Sequence, residues 1–575
     1  MEEEEKKEEE PVIETNNEEP IQEAQESVEN TTEEVKEESQ EPVNEVPDAP
    51  PKKKKPIVLI IIIVILLLAL IIGLIFLLKP SGKDNKENDN TEINTPSEVK
   101  SDYRMLSNAL EKFDLFFLKL ENKEENMVYS PLSIKYALQM LSEGSSGETK
   151  AQIDAVIGEY ETKKYANNSN MSFANSMFIR DTFKDYVKDE YKQMLSEKYG
   201  AEVNLDAFSN PDNINKWISD KTFGLIKDLV SSVKDDDFFL INALAIDMNW
   251  VNQIHCSMGS DVPCKFYYVN YPHEKLEGED YEYLRIKEHY TEGREYETIK
   301  FNGKDNVKGA SLIASFNRYD IVKTLGYDKI KEIVGKAYKE YRNYDDTTPE
   351  IEQEVDKVVN DFINDLEGNN GKADYSTDFS YYIDDNVKVF AKDLQTYGDT
   401  TLQYVGIMPI KDSLSDYISN VSVKDINQLI NSVKDMRIEN FKEGYVTIIE
   451  GNIPLFNYEY ELKLKEDLAK LGITDVFDFD KADLSGMVKD TPDPVAVFDA
   501  KHKANIDFSN DGIRAAAATT IGGGLGNAGD FNYLFEVPTI RIDISFDKPY
   551  MYLIRDKITG EVWFVGTVYE PSTNK

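Results

Sequence analysis

The distribution of apolar and polar residues sets one long apolar run apart from the rest of the chain. Residues 57–78 contain no charged or polar side chain. As a helix they would span ~33 Å, which matches the roughly 30 Å hydrocarbon core of a bilayer. The run is too long, and too far from the N-terminus, for the apolar part of a signal peptide. Four lysines precede it and favour a cytoplasmic N-terminus. We therefore predict a single-pass protein of the cell membrane, with a transmembrane helix in residues 52–78 and the larger part of the chain outside.

From residue 103 onward the pattern is that of one large mixed domain. Helical spacing of apolar residues predicts helices in residues 103–120, after Pro131, in 213–229 and near 348–367. Apolar and β-branched runs predict strands in residues 201–205, 238–246, 445–449, 458–464, 496–508, 539–546, 550–555 and 562–569. Helices early and paired strands late predict an α+β fold with large, mostly antiparallel sheets.

Residues 266–385 differ in composition from the rest of this region. They are rich in Tyr, Lys, Asp and Glu. We interpret part of this stretch as a long insertion in the domain formed by residues 103–575. A solvated addition to the surface is favoured over a dedicated binding module.

Charge separates the N-terminal segments from the folded part. Residues 1–50 hold 20 Asp and Glu against 3 Lys and Arg, and the whole chain has a formal net charge of −42. Residues 1–51 are therefore predicted to be a disordered acidic tail, and the polar residues 79–102 a flexible linker. A nucleic-acid partner is not expected, because a phosphate backbone requires a basic surface.

Cysteine and histidine give little sign of a metal or cofactor site. Cys256 and Cys264 are the 2 cysteines of the chain. Outside the membrane they could form a short disulfide loop or remain as two thiols. The 4 histidines are scattered without the spacing of a zinc site, so no metal and no cofactor is expected.

The segment 512–530 is unusual for a domain of this size. Eleven of its nineteen residues are Gly or Ala, and none is aromatic. Such small side chains build no core, and the glycines disfavour a helix. A strand-like run follows at residues 539–546, so the segment is an internal loop near the C-terminus.

Several motifs, in order and at matching spacing, resemble those of the serpin family. They are NMVYSPLSI at residues 126–134, ALQM at 137–140, GSSGETKAQ at 144–152, FANSMFI at 173–179, YGAEV at 199–203, NKWISDKTFGLIKD at 215–228, LINALAIDMNW at 240–250, LGITDVF at 471–477, KADLSGM at 481–487, KHKA at 501–504 and FDKPYMYLIRD at 546–556. The chain is identified as a membrane-anchored member of that family, with the resemblance interrupted around 266–385.

The resemblance implies a fold with three β-sheets, eight or nine helices and an exposed reactive-centre loop. It also implies a mechanism: a serine-type, or sometimes a cysteine, protease attacks the loop and forms an acyl-enzyme. The cut loop then inserts into the main sheet as a new strand and traps the protease. Such a protein is an inhibitor and not an enzyme, and we expect a monomer. Ser130, Ser133, Trp250 and His502 resemble the residues at the place where the sheet opens. A catalytic pair of Ser130 and His502 is disfavoured, since no oxyanion or nucleophile-elbow motif accompanies it.

The resemblance also assigns a hinge within the loop. In the family's register Ile513 and every second residue after it face the core, while Arg514 and its alternates face solvent. The inward positions carry no charge, and an inward charge would oppose insertion. Ile513 and Arg514 depart from the family, which has a small hydroxyl residue and an acid there. The predicted hinge residues are Gly512, Ile513, Arg514, Ala515, Ala516, Ala517, Ala518 and Thr519.

The scissile bond has two candidate locations. Counting forward from the hinge places it at Leu525, Gly526 or Asn527, whereas counting back from Phe546 places it near Tyr533, Leu534 and Phe535. The first location is favoured because the length of the inserted strand determines trapping. No Lys or Arg lies between Arg514 and Arg541, so elastase-, subtilisin- or chymotrypsin-like proteases are favoured over trypsin-like ones. The alternative is a non-inhibitory serpin that acts as a cell-surface binding or adhesion module.

Overall fold

The computed structural model describes most of the region after residue 102. The described residues are 103–234, 236–251, 254, 266–269, 273–275, 282–286, 293–296, 299–312, 325–368, 379–435, 440–513 and 535–572. The predicted acidic tail, transmembrane helix and linker lie outside them and stay predictions. None of the helices within the described ranges is long and apolar enough to cross a membrane.

Ten α-helices lie in these residues. In chain order they are α1 Lys112–Leu120, α2 Pro131–Glu143, α3 Gly147–Ile157, α4 Asp189–Tyr199, α5 Asp212–Lys221, α6 Tyr327–Arg342, α7 Pro349–Gly368, α8 Leu414–Asn420, α9 Val423–Ser432 and α10 Leu464–Lys470.

Helix α2 begins as the sequence predicts. Pro131 is its first residue, and the hydroxyl of Ser130 accepts a hydrogen bond from the Ser133 N–H, which caps the helix. The predicted helix near 348–367 is likewise present as α7.

Two predicted helices are shorter than their apolar patterns. The helix predicted from residue 103 begins only at Lys112, because the Met105 backbone is bonded to Val156 and Glu159, and Glu111 caps α1. The helix predicted to reach residue 229 ends at Lys221. Phe223 and Gly224 have φ of 53° and 74°, and the Gly224 N–H returns to the Ser219 carbonyl at 2.7 Å.

The strands are more numerous towards the C-terminus. They are β1 Met127–Tyr129, β2 Met171–Arg180, β3 Glu202–Asp206, β4 Phe238–Ile246, β5 Met248–Asn249, β6 Phe266–Val269, β7 His273–Lys275, β8 Glu282–Ile286, β9 Gly293–Tyr296, β10 Ile299–Phe301, β11 Lys304–Val307, β12 Gly309–Ser311, β13 Ser380–Ile383, β14 Val387–Asp393, β15 Leu402–Pro409, β16 Lys434–Asp435, β17 Val446–Glu450, β18 Asn452–Pro454, β19 Phe456–Leu462, β20 His502–Phe508, β21 Gly512–Ile513, β22 Phe535–Asp543, β23 Tyr550–Asp556 and β24 Val562–Val568.

These strands form three larger sheets. A seven-stranded sheet has the order β1-β24-β23-β15-β14-β13-β16, and a four-stranded sheet has the order β17-β22-β8-β7. The third, which we call the main sheet, is divided into β3-β2-β4 and β19-β20-β21-β5, and β4 and β5 are separated along the chain by Asp247 alone. The α+β fold class predicted from the sequence is confirmed.

The strand predicted over residues 496–508 begins only at His502. The preceding backbone is engaged elsewhere: the Val497 N–H donates to the Val476 carbonyl at 2.8 Å, and the Ala500 carbonyl accepts from the Lys465 N–H at 3.3 Å. Residues 496–501 therefore bind to α10 and the turn after it, which makes them unavailable to a sheet ladder.

One large apolar core joins the sheets. Strands β15 and β24 are buried along their whole length, as is most of β2. Trp250, Trp563 and Tyr404 are among the largest fully buried side chains. The core therefore continues from the seven-stranded sheet to the inner face of the main sheet.

Candidate functional site in the main sheet

The main sheet contains a gap between β4 and β20. Strand β4 pairs with β2 on one edge, and β20 pairs with β19 along its length. Within the described residues no ladder joins β4 to β20. A cavity of about 270 Å³ lies there, lined by β4 and β20 residues and by the N-terminal part of α2.

The two-residue strand β21 lies at one end of this gap, between β20 and β5. After Phe508 the chain reverses through Ser509, whose N–H donates to the Gly512 carbonyl at 2.9 Å. Ile513 then pairs antiparallel with Phe508 on one side and with Met248 on the other. Its side chain is 3 % exposed and joins the core. The chain thus enters the gap, with Ile513 facing inward.

Gly512 is required by a close approach of two backbones. A Cβ at this position would lie 2.1 Å from the Met248 carbonyl oxygen and 2.7 Å from the Asn249 Cα. Any larger residue would separate β21 from β5.

Trp250 fixes the turn that leads into β21. Its indole N–H donates to the Ser509 carbonyl at 3.0 Å, and its backbone N–H donates to the Asp511 carbonyl at 2.9 Å. Between these two residues, the backbone carbonyl of Asn510 accepts a hydrogen bond from the Ile254 N–H at 2.9 Å. The Trp250 ring packs against Phe508 with centroids 5.4 Å apart. The turn at residues 509–512 is therefore held on several sides.

A polar network crosses the opposite end of the gap. The Ser130 N–H donates to Nε2 of His502 at 2.9 Å, which joins α2 to β20. The hydroxyl of Ser133 donates to the Asn242 carbonyl at 3.4 Å, which joins α2 to β4. Because Nε2 accepts this bond, His502 is neutral, and desolvation lowers its pKa to about 4. The network thus joins β4 and β20 through α2, without direct pairing between the two strands in the part of the chain that the structure describes.

The four residues assigned to sheet opening thus lie at the two ends of the gap: Ser130, Ser133 and His502 at one end and Trp250 at the other. Two asparagines next to this network were not predicted as site residues from the sequence. The Asn242 amide donates to the Asn175 side chain at 2.8 Å, and the Asn175 amide donates to the Tyr199 carbonyl at 2.8 Å. A carboxamide in the middle of an apolar strand was the available signal, since a buried amide needs partners.

The remaining candidate residues lie mainly outside the described residues. Only Gly512 and Ile513 of the hinge are described, and Phe535 is the first residue of β22. No group of three His, Cys, Asp or Glu in the described parts of the chain could hold a metal ion. The candidates outside are Arg514, Ala515, Ala516, Ala517, Ala518, Thr519, Leu525, Gly526, Asn527, Tyr533, Leu534, Cys256 and Cys264.

Comparison with known proteins identifies the class of protein. The model of the serpin (serine protease inhibitor) family matches residues 113–268 and 374–571. The chain therefore belongs to the serpin family, a family of protease inhibitors that are in general not enzymes themselves.

Individual relatives are distant but nearly complete in coverage. The chain is 25% identical to mouse (Mus musculus) neuroserpin over 482 residues, covering 79% of this chain and 88% of that protein. It is 24% identical over 505 residues to an uncharacterized serpin-like protein of Methanosarcina acetivorans, covering 84% and 89%. The solved structure of tengpin, a thermophilic serpin, in its native state matches with a TM-score of 0.50 and 19% identity, covering 85% of this chain and 97% of tengpin. This last likeness concerns the fold alone.

Proposed function

We propose that this serpin is a suicide-substrate inhibitor of serine-type proteases. The protease serine attacks the scissile peptide bond, and the new amino terminus leaves as the ester of the acyl-enzyme forms. The cut loop then enters the gap between β4 and β20 before the ester is hydrolysed. The observation that carries the proposal is β21, a strand of two residues that enters the gap and is paired on both sides.

Continuation of this register supports insertion of the hinge. If the ladder extends from the pair Phe508–Ile513, Ala515 comes opposite Ile506 and Ala517 opposite Ala504. Ala504 and Ile506 are buried, at 3 % exposure each. Side chains directly opposite each other share one face of a sheet, so Ala515, Ala517 and Thr519 would face inward with Ile513.

The same register gives the unusual Arg514 two acidic neighbours. Arg514 comes opposite Asp507 on β20 and opposite Asp247 on the other strand. An opposite charge across a ladder contributes roughly 0.2–1 kcal/mol per pair. Arg514 thereby favours the inserted strand, although it departs from the family pattern.

The proposal extends to the target and the place of action. Elastase-, subtilisin- or chymotrypsin-like proteases fit a loop without Lys or Arg between residues 514 and 541. Residues 57–78 anchor the domain on the outer face of the cell membrane, where it protects the cell surface. Extraction of the full chain by detergent but not by alkaline wash, and release of a variant lacking residues 57–78, would support the anchor.

Incubation with each protease class tests the inhibitory mechanism. We expect an SDS-resistant covalent complex, together with cleaved inhibitor that unfolds at a higher temperature than the uncut form. Cleavage without a complex and without a gain in thermal stability would falsify the mechanism and favour the non-inhibitory binding or adhesion module.

A further inference from the structure

Strand β22, which follows the loop, is paired on both edges. Its first half, Phe535–Thr539, pairs antiparallel with β8 from Ile286 back to Glu282. Its second half, Thr539–Asp543, pairs parallel with β17. Within the described residues, the half nearest the loop is thus held by β8.

The strand β8 belongs to a part of the chain that the serpin family model does not match. The model leaves residues 269–373 unmatched, and this stretch contains β7, β8, α6 and α7. Strand β7 pairs with the outer edge of β8, and α6 packs against β22. The additional segment therefore meets β22 both at an edge and through a helix.

This additional segment has its own core. Helices α6 and α7 bury Ile330, Val334 and Val359, at 0% exposure each. Gly335 permits close packing of the two helices, because a Cβ there would lie 2.8 Å from a methyl group of Val355. An ion pair of Lys339 with Glu352, at 2.6 Å, crosses the same interface.

The segment is also hydrogen-bonded to the chain just after β22 and just after its neighbour β17. The Asn302 N–H donates to the Asp547 carbonyl at 2.7 Å, just after β22. The Leu312 N–H donates to the Gly451 carbonyl at 2.8 Å, just after β17. Phe301 is fully buried and packs against Tyr550, with ring centroids 6.4 Å apart. These contacts fix residues 301–312 of the segment to the rest of the domain.

The length of the loop limits how far it can enter the gap while it is uncut. Between Ile513 and Phe535 lie 21 residues, 514–534. An uncut loop that enters the gap must return to Phe535, so about half of it, on the order of ten residues at ~3.3 Å each, can enter while β22 stays paired. Deeper entry must draw chain out of β22, beginning with the half that β8 holds. A cut loop has no such limit.

We propose that β7, β8 and α6 form a clamp on β22 that prevents full insertion of the uncut loop. The clamp does not resist insertion after cleavage, because β22 then stays in place. This inference rests on the proposed function, for which it supplies a means of keeping the inhibitor in its active, uninserted form.

Backbone pairing identifies a variant that opens the clamp. Pro538 has no N–H, so the pair Pro538–Tyr283 cannot exchange two hydrogen bonds. Bonded pairs alternate along an antiparallel ladder, so Val537–Leu284 is a bonded pair. Leu284→Pro removes the central bond to β22. Arg285→Pro is the matched control, because the N–H of Arg285 is directed away from β22.

The experiment follows the uncut protein at elevated temperature with no protease present. We expect Leu284→Pro to convert at least about tenfold faster than the wild type into a form that resists unfolding and whose loop is no longer cleaved, with mass spectrometry showing an intact chain. Arg285→Pro should convert at the wild-type rate. Equal rates for all three proteins, or no conversion in any of them, would overturn the clamp.

A second measurement uses the wild type alone. Amide hydrogen exchange at Phe535, Val537 and Thr539, whose N–H groups are directed at β8, should be as slow as in β17, and fast exchange at these amides would also overturn the clamp. Both readouts are independent of complex formation. Faster conversion of Leu284→Pro in a protein that traps no protease would uphold the clamp and refute the inhibitory function.

Discussion

The seven-stranded sheet and the main sheet use their backbone hydrogen bonds in opposite ways. In the former each strand is joined to its neighbours by antiparallel ladders from β1 to β16. In the latter, β4 and β20 face each other across a cavity, and among the described residues Gly512 and Ile513 pair at one end of it. Both sheets contribute to the same apolar core. The comparison teaches that a sheet with a gap, such as the main sheet, can persist when the core beneath it is also held by a complete sheet.

The largest expected effect comes from a charge placed inside the unfinished sheet. Ala517→Arg would direct a cation towards buried Ala504 and Leu244, where an unpaired charge costs several kcal/mol. We expect the loop still to be cleaved, but the covalent complex and the gain in unfolding temperature on cleavage to be lost. Ala517→Val, which adds bulk without charge, should retain trapping. Normal trapping by the arginine variant would refute the register.

A cavity in the complete sheet should act differently. Leu553 is fully buried in β23, and Leu553→Ala should lower the free energy of unfolding by about 2–5 kcal/mol. Because β23 does not change its pairing on insertion, uncut and cleaved forms should lose stability equally, as chemical denaturation can measure. Ile558→Ala, at a site 78% exposed in the turn between β23 and β24, should change neither form. A loss confined to one form would show that the surroundings of Leu553 change on insertion.

The neutral His502 at the end of the gap should make the stability of the folded protein depend on pH. Unfolded His502 titrates near 6.5, whereas desolvation lowers its pKa in the folded protein to about 4. The unfolded state therefore takes up the proton first as the pH falls. The contribution of neutral His502 to the free energy of unfolding is fully present above pH 6.5. It is lost between pH 6.5 and 4, by up to about 3 kcal/mol.

His502→Gln isolates this contribution, since the amide oxygen can still accept from the Ser130 N–H. The difference in unfolding free energy between wild type and variant should shrink towards acid pH over this window. A pH-independent difference would show that His502 does not titrate in this way.

The smallest effect is expected at Arg514. Arg514→Glu would place a third carboxylate between Asp247 and Asp507, changing the ladder energy by about 1–2 kcal/mol. The number of inhibitor molecules consumed per trapped protease should rise several-fold, and Arg514→Lys should remain close to the wild type. An unchanged ratio for the glutamate variant would place Arg514 away from both aspartates.

The sequence predicted the elements whose local signals agree with their packing. Strand β4 and helix α2 were predicted well, because apolar runs and the Ser130–Pro131 cap are local features. The failures arise from distant partners. Residues 103–111 have helical spacing but bind the end of α3 through Met105, and residues 496–501 resemble a strand but bind α10.

The candidate site shows the same limit. The motif resemblance brought Ser130, Trp250 and His502 to attention. A carboxamide within an apolar strand indicates that Asn242 needs a partner, but no local pattern indicates that the partner is Asn175 on β2. Nor does the composition of residues 266–385 predict that one of its strands pairs with β22. Pairing between segments more than 200 residues apart depends on the whole topology, which a linear pattern does not contain.

The short strand β21 also bears on how fast the loop can move. Starting a new strand is ordinarily slow, because two segments must meet before any pairing is gained. Here the first pairs already exist at Ile513, with Phe508 on one side and Met248 on the other. Insertion of the following residues then only extends existing pairing along the edges of β20 and β4. The rate of insertion would then be limited by release of the loop on cleavage and not by formation of the first strand pairs.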